Sequence, residues 1–237
     1  MAREIGNLSL LGFVDGITSI GIVFFSVLFG LITLYHARKL KAKLLAIAGL
    51  TMICLGAFWI GPSIEFFLVL LTGNNYNPEY LYGWICYMWI APGVVVSFYL
   101  GAELMVPEKK KIIVGIYGIL GIIFEILLFG FVNQTFIFKP HGEGDLTDSG
   151  FNWGFPAAWL IGVFLASLLI FLVIGFAIKA KQATGELRKK FSFLSLGFLI
   201  FFICGMADAL FIPGIYLAVW RGAMMTFAIW MYLGLKT

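Results

Sequence analysis

Long apolar runs alternate with short polar breaks along the whole chain. With about 20 residues needed to cross a bilayer as helix, the runs resolve into candidate helices at residues 9–35, 42–72, 80–106, 111–133, 154–178, 191–212 and 215–235. The second and third are longer than one crossing requires, so they tilt or protrude. Pro62 and Pro92 fall inside them. Each removes a backbone N–H whose lost bond a neighbour or water must replace, which predicts kinks near a polar cavity.

The polar breaks carry the orientation. Arg38, Lys39, Lys41 and Lys43 lie between helices 1 and 2, Lys109 to Lys111 between 3 and 4, and Lys179, Lys181, Arg188, Lys189 and Lys190 between 5 and 6. The alternate connections, GNNYNPEY, the 134–153 segment and the Pro213-Gly214 turn, contain a single basic residue, Lys139. By the positive-inside rule the N-terminus is outside and the C-terminus inside. The expectation is an all-α, integral membrane seven-helix bundle formed by one domain, residues 1–237, multi-pass in a cell membrane.

Composition agrees. The chain is 62% hydrophobic and 12% charged with mean hydropathy +1.02, against about 25% charge in a soluble domain. The net charge of +4 is clustered beside apolar segments, so it reads as topology with the lipid bilayer as partner and no nucleic acid. Cys54, Cys86 and Cys204 all lie in apolar runs and read as small core residues. MAREIGNLSLLGF lacks the basic, apolar and small-residue order of a cleaved leader, so the first helix is expected to be retained.

Small residues recur at four-residue spacing as Gly154, Ala158, Gly162 and Ala166, as Gly93, Ser97 and Gly101, and as Gly12 and Gly16. Such stripes let helix backbones approach closely, so these faces are expected to pack on neighbours. Helices 1–3 echo helices 5–7, LFGLITLYHARKLKAKLLAIAGL beside LVIGFAIKAKQATGELRKKFSFLSLGF, which reads as a parallel 3+1+3 repeat with helix 4 as connector. The segment QTFIFKPHGEGDLTDSGFNW reads as a solvated loop, with a lid as the alternative.

Measured from the outer helix ends, Asp15, Glu65, Glu125, Asp208 and Arg221 fall in one layer roughly 8–12 Å deep. Asp208 and Arg221 flank the Pro-Gly turn at matching depth and are expected to pair. Polar glue fixing helix register is one reading of this layer. The other is a ligand site, because four acids facing one Arg cannot all be neutralised by pairing. Trp59, Trp89 and Trp220 map to the same half; an interfacial belt explains Trp84 and Trp153, while Trp59 and Trp89 are deep enough to wall a pocket for an organic cation.

The chain has no HExxH, Walker loop, GxSxG or Cys/His metal spacing, and His36 and His141 fall on opposite predicted sides. It therefore reads as no enzyme and without a metal, the remaining hydrolase reading being paired acids such as Asp208 and Glu125. Helix 7 offers no mid-depth lysine for retinal, and no other cofactor is expected. GELRKKFSFLSLGFLIFFICGMAD, a basic inner loop entering an apolar helix with a late acid, resembles the seven-helix sensor region of prokaryotic histidine kinases and related signalling proteins. That resemblance implies a membrane sensor. Because the chain stops at GLKT without an effector domain, it also implies output through a cytoplasmic signalling partner or homo-oligomer. The expectation is thus a receptor-like protein binding a small, cationic ligand in an outer-half pocket. Alternatives are a small transporter or channel for a cation or solute, and a structural subunit of a membrane complex.

Overall fold

The computed structural model describes residues 7–139, 142–211, 214 and 216–236. Two expected outer-side residues, His141 and Pro213 of the Pro-Gly turn, lie outside these. Among the described residues, six helical rods are long and apolar enough to cross a membrane, which makes the chain a multi-pass membrane protein: Leu10–Leu40, Lys43–Thr72, Tyr80–Met105, Pro107–Gly130, Pro156–Gln182 and Gly185–Leu210. The first is α1 (Leu10–Leu40). The second joins α2 (Lys43–Gly56) to α3 (Ile60–Thr72), and the third joins α4 (Tyr80–Tyr87) to α5 (Ile90–Met105). The fourth is α6 (Lys110–Gly130), which is followed by a single turn, α7 (Val132–Thr135). The fifth runs from α8 (Pro156–Leu168) through a π-helical stretch, Leu169–Ile174, into α9 (Gly175–Gln182), and the sixth is α10 (Gly185–Leu210). The last rod is broken at Thr226 into α11 (Leu217–Met225) and α12 (Phe227–Leu235).

The interruptions have sequence causes. Ahead of Pro62 the second rod tightens into a 3-10 turn, Ala57–Trp59, and ahead of Pro92 the third is interrupted by a turn at Met88 and Trp89. In each case the ring cannot donate to the carbonyl four residues back and crowds it. Helix starts also differ from expectation: α1 continues through Arg38 and Lys39, and α10 begins before Arg188, Lys189 and Lys190. The chain keeps its backbone bonds by staying helical where it leaves the apolar layer, so hydropathy draws both helices too short at the basic end.

Each rod packs on the next in sequence, and α1 also packs on α11 and α12, which closes the ring. Phe124, Phe164, Phe176 and Phe227 are fully buried between rods, and Phe98 stacks on Tyr117 at 3.7 Å. At one end the ammonium groups of Lys43 and Lys110 lie 5.9 and 4.9 Å from the Tyr99 ring, so the first two basic connections meet there. At the other, β1 (Phe136–Lys139) and β2 (Asp148–Phe151) form an antiparallel hairpin, Lys139 opposite Asp148. Where a solvated loop was expected, the described residues on either side thus form a hairpin packed against the bundle.

The small-residue stripes divide. An added Cβ on Gly16 would meet Phe66 at 1.9 Å and one on Gly101 would meet Leu172 at 2.6 Å, so those faces pack as expected. The helix 5 stripe corrects the expectation. Ala158 is buried, but nothing lies within 4 Å of a Cβ on Gly162, and Ala166 is exposed. Gly162 and Ala166 face space where contact was expected.

Candidate functional site

That space is a cavity of about 420 Å³ near the hairpin end, lined from α1, α4, α8, α10 and α11. Its polar centre is Arg221, only 6% exposed. The guanidinium Nε donates to Asp208 Oδ1 at 2.8 Å, and Nη1 donates to the Asp15 carboxylate, to the Asp15 carbonyl at 3.2 Å and to Ser19 Oγ at 2.6 Å. The expected Asp208–Arg221 pair is present and joined by a second acid. Asp208 Oδ2 accepts from Trp59 Nε1 at 3.1 Å, so Trp59 edges the same cluster. Trp59 packs edge-on against Phe201, with ring centroids 5.9 Å apart, and stacks on Phe58 at 6.2 Å. Counted as ionised, two carboxylates and one guanidinium leave one net negative charge at this cluster, beside aromatic and aliphatic lining from Phe58, Trp59 and Phe201.

Glu65 does not belong to this cluster. It is fully buried and accepts from Thr147 N at 2.9 Å, Thr147 Oγ1 at 2.5 Å, Asn75 Nδ2 at 3.2 Å and Tyr76 N at 3.2 Å. One carboxylate thus ties the 73–79 connection and the chain leading into β2 to α3. Burial pushes the Tyr76 phenol above its ordinary pKa, and its hydroxyl donates to the Gly61 carbonyl at 3.2 Å. The same segment is held by Ser9 Oγ donating to Asp145, by Tyr87 and Ser149 hydroxyls 3.3 Å apart, and by Lys139 pairing with Asp148 at 2.6 Å. Thr147, Asp148 and Ser149 line the cavity, so the hairpin is its roof.

Glu125 and Trp89 meet elsewhere, in an open groove between α5 and α6 beside the lipid-facing Ile122 and Ile126. Trp220 stacks on Phe211 at 6.4 Å and is not part of the cavity lining. Of the residues expected at one site, Asp15, Asp208, Arg221 and Trp59 come together, while Glu65, Glu125, Trp89 and Trp220 do not. Ser19, Tyr82, Tyr87 and Asp148 were missed. Ser19 alone carried a local signal, since it follows Asp15 by four residues and so shares its face of α1.

The fold and the site together define a multi-pass helical membrane protein with a roofed, charged cavity. No protein-family model matches the chain, and comparison with curated proteins returns no match.

Proposed function

We propose that the chain is a receptor-like membrane sensor that binds a small organic cation in this cavity. The observation that carries the reading is Arg221 held between Asp15 and Asp208 on the cavity wall. Its excess carboxylate beside Trp59 and Phe58 is the chemistry that recognises quaternary ammonium groups, namely a negative charge with aromatic faces. The cavity's size falls within the range of small-molecule sites, about 300–1,000 Å³.

In this reading the bundle has seven crossings, with the hairpin end outside and the basic end in the cytoplasm. The seventh is α11 with α12, joined at Thr226, whose N–H donates to the Ala223 carbonyl at 3.0 Å and whose carbonyl accepts from the Trp230 backbone N–H at 3.1 Å. Arg221 on α11 is then joined through Thr226 to a helix that reaches the cytoplasm, a route by which occupancy reaches a signalling partner. The resemblance to kinase-linked sensor regions supports the same output. Transport is less well supported, because Leu55, Leu168, Val173 and Phe198 make an apolar floor toward the basic end.

Isothermal titration of the full chain in nanodiscs with tetramethylammonium tests the reading. Saturable binding of one cation per chain, weakened at least tenfold by Asp208→Asn, is expected. Absence of binding, or equal binding by the variant, would overturn it.

A further inference from the structure

Resting on that reading, we propose that the cavity takes its ligand from the bilayer, as a long-chain amine or quaternary ammonium amphiphile. The head sits at Asp208 and the tail leaves between α8 and α10.

Three observations combine. First, the way in from the hairpin end is covered: Thr147 to Ser149 lie over the cavity and are held by Glu65, Tyr87 and Lys139. Second, the side between α8 and α10 is open. These helices are joined closely only through Leu169–Ile174 and α9, toward the basic end. Toward the hairpin end, Gly162 on α8 and Gly205 on α10 both line the cavity, and among the described residues a Cβ on either would meet nothing within 4 Å. Third, Ala166, Ala209 and Leu210 line the cavity and are exposed, so the cavity is open on that side. In a chain surrounded by lipid, a cavity open between two helices faces acyl chains and not water. Along that exit the lining is Leu165, Leu169 and Phe202, with no charge to be solvated. The polar cluster at the closed inner wall and the apolar slot at the open side are complementary to a molecule with one cationic head and one hydrocarbon tail.

The test measures equilibrium binding to the full chain in nanodiscs for tetramethylammonium, dodecyltrimethylammonium and dodecanol, each referred to its aqueous concentration. Each methylene removed from water tightens binding about fourfold, so a tail engaging only four of them gives an advantage of about 200-fold over tetramethylammonium. Dodecanol, which has no charge for Asp208, should bind at least tenfold more weakly than the dodecyl cation. Gly162→Phe fills the slot from a position with free space and should abolish the dodecyl cation's advantage over tetramethylammonium, so that the two cations bind the variant equally. If that variant fails to fold, Gly205→Phe closes the slot from the opposite wall. Equal affinity of the two cations, or a dodecyl advantage that survives the filled slot, would overturn lateral binding while tetramethylammonium binding still upheld the cation site. Failure of both cations to bind would remove the cation site as well.

Discussion

Replacing Arg221 by Met strands two acids at once. The guanidinium serves Asp15 from α1 and Asp208 from α10, and Ser19 Oγ also accepts from it. Removing one partner of a buried pair costs about 3–5 kcal/mol, because the charge left behind has lost its compensation. With two carboxylates stranded by one substitution, the upper end applies, roughly 5 kcal/mol. At about 2–4 °C per kcal/mol for a chain of this size, the midpoint should fall about 10–20 °C. The Asp208→Asn, Arg221→Met double variant strands one acid only and should be more stable than the single variant. Adding Asp15→Asn leaves no uncompensated charge and should recover most of the loss. Thermal unfolding in one detergent, followed by tryptophan fluorescence, gives the order: wild type, triple, double, single. Stability that falls with each added substitution would show three independent polar residues and refute the cluster.

Glu65→Ala leaves the two Thr147 donors and Tyr76 N–H buried without their acceptor; at about 1–3 kcal/mol for a stranded group, a loss of roughly 3 kcal/mol is expected. Hydrogen exchange at Thr147 should rise with it, and unchanged protection would show that the roof is held by other bonds. Gly30→Leu should lower the midpoint by about 5 °C or more, because a Cβ there meets Gly49 O at 2.9 Å and Ile53 Cγ1 at 2.5 Å, so two helices must separate. Gly162→Leu should stay within about 2 °C of the parent, and the opposite order would place the cavity wrongly. Cysteine labelling of intact cells should reach position 75 and not position 110; labelling at 110 from outside would reverse the orientation.

The Asp208–Arg221 pair was legible because depth from a shared turn can be counted in residues, and depth alone sufficed for Asp15. Azimuth could not be counted. Glu65 and Glu125 were counted into the same layer, but α3 restarts after a 3-10 turn, which changes the rotation per residue and so the face that Glu65 presents. Glu125 lies on α6, the rod with Ile112, Ile116, Ile119 and Ile126 turned to lipid, and nothing in its own sequence says which neighbour its remaining face meets. The Gly162 stripe was ambiguous in kind, since small side chains serve close contact and open space equally. The roof was hidden because its bonds, such as Thr147 to Glu65, join residues far apart in sequence within a segment whose glycines read as solvated.

Tetramethylarsonium carries the same charge and shape as tetramethylammonium and adds an anomalous scatterer, so diffraction at the arsenic edge from crystals grown with it locates the bound cation directly. One peak per chain inside the cavity, beside Asp208 and the Trp59 and Phe58 rings, is predicted. A peak only at the loops or the bilayer surface, or none, would contradict the account.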